Sequence, residues 1–135
     1  MFDLKPFVVT RFIGSSKLFD KNKMTITTSV FDKGSNRLNG EISVYNIDDE
    51  LKAGLEEEIY KLGDRTVYKK APNTLARADL NVSDVEKITH SSTKQHLRLH
   101  HHPFTKHCNI KPFPNDASAL NIAGQLVKIS RLKVR

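Results

Sequence analysis

The chain has one cysteine, Cys108, among 135 residues, so no internal disulfide can form. A fold stapled by sulfur bridges is excluded, and the core must come from apolar burial, for which this length suffices. No apolar run approaches the length of a membrane span. The opening MFDLKPFVVTRFIGSS carries an acidic residue at position 3 and lacks a long apolar core. It reads as a first strand rather than a signal peptide. With a lone cysteine, these features lead us to expect a reducing, cytoplasmic setting. Tryptophan is missing and aromatics make up 7% of the residues, which argues against extensive base stacking. There is no CxxC pair, no HExxH, no GxSxG and no glycine-rich phosphate loop. No cofactor is therefore expected. Internal repeats, low-complexity tracts and linkers are also missing, so residues 1–135 read as a single domain.

Acidic residues are scarce in one region only. Residues 1–91 hold 14 Lys/Arg and 14 Asp/Glu, whereas residues 92–135 hold eight basic residues and a single acid, Asp116. The whole net charge of +7 lies in this C-terminal third, with five of the six histidines. Such asymmetry points to an anionic partner, or to a basic face that aids solubility. No membrane is expected among the partners.

Period-two and period-3.6 patterns lay out an α+β fold. Phe7 to Ile13 is an apolar, β-branched run bounded by Pro6 and Gly14, and reads as a mostly buried strand. Met24–Phe31 and Glu41–Tyr45 read as two more strands, with turn chemistry at 32–36 between them, and the three suggest an antiparallel meander. Leu51, Leu55, Ile59 and Leu62 recur on one helical face, with Asp48 or Asp49 as cap and Gly63 as terminator. Thr66–Tyr68 suits a short extension or strand, residues 71–74 a turn, Leu75–Leu80 a strand or loop, and Ser83 the cap of one helical turn. Residues 91–94 suit an exposed loop. Asn115 or Asp116 caps a final helix with Leu120, Ala123, Leu126 and Val127 along one face. Arg131, Lys133 and Arg135 would then sit at its negative end. The expectation is an antiparallel sheet of about five strands, with the 50–62 and 116–130 helices packed on one face.

The most informative stretch is His96-Leu97-Arg98-Leu99-His100-His101-His102, a Pro-Phe-Thr-Lys loop, then His107-Cys108-Asn109-Ile110-Lys111. Both runs alternate with period two, as a hairpin requires. A loop at 103–106 pairs His102 with His107, His100 with Asn109, and Arg98 with Lys111. One face then collects His96, Arg98, His100, His102, His107, Asn109 and Lys111. The other carries Leu97, Leu99, His101, Cys108 and Ile110, where His101 and Cys108 read as core residues. The polar face has four readings. It could bind phosphates through Arg98, Lys106 and Lys111, with His100 and Asn109 as hydrogen-bonding groups. It could hold a metal on His100, His102 and His107, but no carboxylate stands by and nearby cations would repel a dication, so no metal is expected. It could carry acid–base chemistry on a nucleotide. It could be a plain solvated surface.

Arg11 lies inside an otherwise apolar strand and needs an anionic partner; Asp79, Asp84 or a ligand could serve, with the structural pairing preferred. Arg77 and Asp79 share a strand face and can pair. Ser43 and Tyr45 share a face by the same rule. The order Arg11-Phe12-Ile13, Ser43-Val44-Tyr45, Leu62-Gly63, Ala76-Arg77-Ala78-Asp79 and His107 before Pro112-Phe113-Pro114 resembles that of a group of short bacterial proteins of unassigned activity. The resemblance implies that Arg11, Arg77, Asp79 and His107 work together; the His100–His102 run lies outside it.

These readings lead to three function classes. The first is an intracellular protein binding an anionic ligand, nucleic acid foremost, through its C-terminal third, with Arg98, His100, Lys106, Asn109, Lys111 and Arg77 as ligand contacts. The second is a small hydrolase or nuclease using His102 and His107 with Arg11 and Asp79. The third is a structural subunit docking its basic end on an acidic protein partner.

Overall fold

The computed structural model describes residues 4–68, 73–91 and 93–135. In chain order the elements are β1 (Val8–Ile13), β2 (Phe19–Asp20), β3 (Thr25–Ile26), α1 (Gly34–Asn39), β4 (Ile42–Asn46), α2 (Asp48–Ala53) and α3 (Glu56–Gly63). They continue with β5 (Ala76–Asn81), α4 (Val82–Val85), β6 (Arg98–His101), β7 (His107–Lys111), α5 (Ser118–Ile129) and β8 (Arg131–Val134). Six strands form one antiparallel sheet in the order β6-β7-β4-β1-β5-β8. β2 and β3 form a separate two-stranded ribbon. The architecture is α+β with one large antiparallel sheet, one strand wider than the alternation suggests.

The sheet has two faces of different character. Val9, Ile13, Ile42, Val44, Ala78, Leu80, Leu99 and Ile110 project to one side. They form the main core with Ile122, Ala123 and Leu126 of α5. Thr10, Phe12, Arg77 and Asp79 project to the other side, with Ser43, Tyr45, His107, Asn109, Lys111, His100 and Arg98. A smaller apolar cluster of Phe12, Ile47, Ile59 and Leu62 fixes α3 over part of that second face. The two main helices therefore lie on opposite faces, not on one. The reason is in the strands: β1 and β5 carry bulky or buried groups on both sides, and each side needs a cover.

Several local expectations give way. Met24–Phe31 is a strand only at Thr25–Ile26 and turns into a 3₁₀ turn at Thr28–Val30. Val30 and Phe31 are both fully buried, which adjacent residues of a one-sided strand cannot be. No meander forms, because β1 lies between β4 and β5. The supposed turn at 32–36 opens α1, which closes on Gly40 in the left-handed region at φ 73°. The single 50–62 helix is two: Gly54 at φ 68° ends α2, and Leu55 is an exposed joint. Gly63 is not a left-handed cap. A Cβ there would lie 2.8 Å from the Phe12 ring and 2.5 Å from Thr74 Oγ1, so the residue is set by close packing. The chain then runs on through a π turn over Asp64–Tyr68. Asn81, not Ser83, precedes α4 and makes no side-chain cap.

The 71–74 turn lies partly outside the described residues, as does Ser92 of the 91–94 loop. Leu75–Leu80 resolves as β5, fully inside the sheet. Asp116 accepts a hydrogen bond from the Ser118 backbone N–H at the start of α5, but Leu120 is exposed, and Ala119 and Ile122 are buried instead. Arg131, Lys133 and Arg135 do not end a helix. β8 carries the chain back along β5, and Arg135 reaches Asp64 and Glu57. Burial would raise the Asp64 carboxyl, but hydrogen bonds from the Thr74 and Asn73 backbone and Arg135 hold it down at about 2. Among the described residues no helix is long and apolar enough to cross a membrane.

Candidate functional site

The hairpin forms in the register that the alternation implies. Arg98 faces Lys111, Leu99 faces Ile110, His100 faces Asn109 and His101 faces Cys108. The ladder stops one step before His102–His107. β7 in turn pairs with β4, setting Asn109 beside Ser43 and His107 beside Tyr45. Alternation on three strands thus gathers Arg98, His100, Lys111, Asn109, His107, Ser43 and Tyr45 on one side. Tyr45 packs against α3's apolar cluster at one side of this group.

His107 Nε2 lies 3.1 Å from Ser43 Oγ, and Ser43 Oγ lies 3.5 Å from Asn109 Oδ1. The His107 ring sits 5.4 Å from that of Tyr45, and Tyr45 sits 5.4 Å from Phe12. Arg98 Nη1 donates to the carbonyls of Glu86 and Leu97. Neither Arg98 nor Lys111 makes an ion pair among the described residues. With His96 and His100 they line a hollow of about 300 Å3. Burial lowers the His100 imidazole from its ordinary value, and Lys111 and Lys5 add to the effect against Glu86 and Glu41. His100 is therefore neutral near pH 7.

The remaining sequence candidates divide. Lys106 is engaged, with Nζ 2.6 Å from Glu50, tying the hairpin tip to α2. His102 Nδ1 accepts from the Phe104 backbone N–H, and its ring meets Phe104 edge-on at 5.8 Å. His102, Thr105, Lys106 and His107 line a second hollow, of about 540 Å3, with Tyr45 and Leu62. Cys108 is buried, which pushes its thiol up to about 11 and leaves it a core residue. Among the described residues no group of three or more His, Cys, Asp or Glu side chains is placed to hold a metal ion.

Arg77 and Asp79 are elsewhere. Arg77 is fully buried on β5; its Nε lies 3.0 Å from Asp79 and its Nη1 2.7 Å from Glu56. The Tyr60 ring lies 5.1 Å from the guanidinium carbon. Three strand spacings separate β5 from β7, roughly 14 Å, so Asp79 and Arg77 do not meet His107. They brace α3 against the sheet.

Arg11, half-buried on β1, differs from that pair. Neither Asp79 nor Asp84 is its partner: Asp79 takes Arg77, and Asp84 stands 3.9 Å from Lys87. β1 and β4 stay paired only at Val9–Asn46 and Thr10–Tyr45. Where they part, the Arg11 side chain fills the gap, donating from Nε to the Val30 carbonyl and from Nη1 to the Ser43 carbonyl. Nη2 makes no hydrogen bond among the described residues. Burial lowers the guanidinium from its ordinary value, while Tyr68 and Tyr45 raise it. Burial and then Arg11 lower the Lys33 ammonium. The two cations line a cavity of about 220 Å3 with Phe12, Ser43, Tyr45 and Tyr68.

Lys33, Ser43, Tyr45 and Tyr68 carried no assigned role in the sequence. Ser43 and Tyr45 were within reach, since their alternation with the apolar Ile42 and Val44 puts them on a polar strand face. Lys33 immediately precedes α1 and Tyr68 ends a π turn, where no period announces a direction. Comparison with protein-family models, with curated proteins and with solved structures finds no match to this chain.

Proposed function

We propose that this protein binds a nucleic acid across the open half of its sheet. The observation that carries the reading is the pairing of charge and rings on β4, β6 and β7. Arg98 and Lys111 make no ion pair there among the described residues, though the Glu86 carboxylate feels Arg98, and they stand beside the Tyr45–His107 ring pair. Unneutralised cations spaced along a face suit phosphates, whose contacts dominate affinity and release counterions. Tyr45 and His107 supply a single stacking position, enough to favour unpaired bases without reading many of them. His100 and Asn109 add hydrogen-bonding groups that suit sugar and phosphate oxygens. Binding of this kind is weakly sequence-specific.

A second reading, a nuclease working through His107, has one observation in its favour: the 3.1 Å contact between His107 Nε2 and Ser43 Oγ. A histidine so placed can exchange a proton with a hydroxyl.

Both readings meet one experiment: fluorescent 12-mers of single- and double-stranded RNA and DNA, titrated from low to high salt, with strand integrity scored on a gel. The binding reading predicts intact strands, a preference for single strands, and a log Kd that rises linearly with log salt at about 0.7 per phosphate contacted. Cleaved strands that stay whole with His107→Ala would establish the second reading. No association at low salt would overturn both.

A further inference from the structure

The Arg11–Lys33 cavity adds a feature that the open face alone does not need. We propose that it seats a terminal phosphate monoester of the nucleic-acid strand, and this inference rests on the nucleic-acid reading of that face. Two cations, Arg11 and Lys33, line one cavity of about 220 Å3, and the described residues that line it with them include no carboxylate. Burial and then Arg11 disfavour the charged form of Lys33, so an anion between the two cations stabilises it. An internal phosphodiester brings one negative charge. A terminal monoester brings about 1.5 to 2 at neutral pH, with three acceptor oxygens.

The donors suit such a group. Arg11 holds Nε and Nη1 on backbone carbonyls and leaves Nη2 for a ligand. Its guanidinium is thereby fixed before anything binds. Lys33 supplies a point charge, and the lining residues Ser43, Tyr45 and Tyr68 each carry a hydroxyl. The cavity is smaller than the roughly 300–1,000 Å3 common for whole small-molecule ligands, so it fits a head group whose remainder lies outside. Ser43 and Tyr45 are shared between the cavity wall and the open face, through the pairs Ser43–Asn109 and Tyr45–His107. A strand crossing β7 and β4 has its end at the cavity.

The same head group could come from a free phosphorylated small molecule, and the test separates the two sources. Affinity is measured for single-stranded RNA 12-mers with a 5′-phosphate, a 3′-phosphate or hydroxyls at both ends. The proteins are the wild type, Lys33→Met and Ser43→Ala, each first shown to be folded by circular dichroism. Inorganic phosphate and a nucleoside monophosphate serve as competitors. One phosphorylated end should bind roughly tenfold or more tightly than the hydroxyl-ended strand, as charge-assisted hydrogen bonds imply. Lys33→Met should bring that ratio below about twofold, and a general loss of affinity cannot mimic a changed ratio. Equal wild-type affinity for all three strands overturns the terminal seat and leaves the open-face reading standing. If no strand binds, yet inorganic phosphate raises the melting temperature of the wild type but not of Lys33→Met, the nucleic-acid reading has failed and the cavity serves a free phosphate instead.

Discussion

Two arginines lie on the inner strands of the sheet, β1 and β5, and their partners set their roles. Arg77 faces two carboxylates, Asp79 and Glu56, and is fully buried. Arg11 faces carbonyls and a second cation. Removing one member of a buried ion pair strands the other charge, so Arg77→Met should cost about 3–5 kcal/mol in urea unfolding. Arg11→Met strands no carboxylate and relieves repulsion at Lys33. It should cost about 1–2 kcal/mol, from two carbonyls left without their donor. Equal losses from the two substitutions would contradict this division. The Arg77–Asp79 pair was legible, because residues two apart on a strand share a face. The solitude of Arg11 was not. It depends on β1 and β4 parting after Thr10, and a single sequence does not show where two distant strands separate.

Elements were legible where one face is apolar and one polar. The hairpin register followed from alternation in residues 96–102 and 107–111, since a slip of one residue would expose Leu99 and Ile110. Helix α5 followed from its period, although the buried stripe is turned toward Ala119 and Ile122. Residues 24–31 and 64–68 were not legible, because their burial follows tertiary neighbours rather than a period. Tyr68 illustrates this. It lies across Gly14 so closely that a Cβ there would be 2.6 Å from its ring. Gly14→Ala must therefore displace the Tyr68 ring, which lines the Arg11–Lys33 cavity. The substitution should lower affinity for a phosphate-ended strand about tenfold relative to a hydroxyl-ended one, while Gly34→Ala, with open space around it, should not. A Gly14→Ala protein with unchanged end preference would remove Tyr68 from the site.

The charge distribution in sequence and in space differ at the scale of the whole molecule. The eight basic residues of the last 44 look like one cluster along the chain. Folding divides them, because β6 and β8 occupy opposite edges of the sheet, roughly 24 Å apart. Arg98 and Lys111 stand at one edge on the open half-face, and Arg131 and Lys133 at the other. Lys106 and Arg135 are paired with acids from the first half of the chain. A basic C-terminal third is thus not one surface, and the sequence could not reveal this without the strand order. The most direct measurement compares two double substitutions that remove the same charge: Arg98→Ala with Lys111→Ala, and Arg131→Ala with Lys133→Ala. Affinity for a single-stranded RNA 12-mer is read at several salt concentrations. The account predicts that the first pair weakens binding about tenfold or more and lowers the salt slope by about 1.4, for two phosphate contacts. It predicts that the second pair changes affinity by less than about threefold. Equal losses from both pairs would mean that net charge alone attracts the strand, and would contradict a binding site on the open half of the sheet.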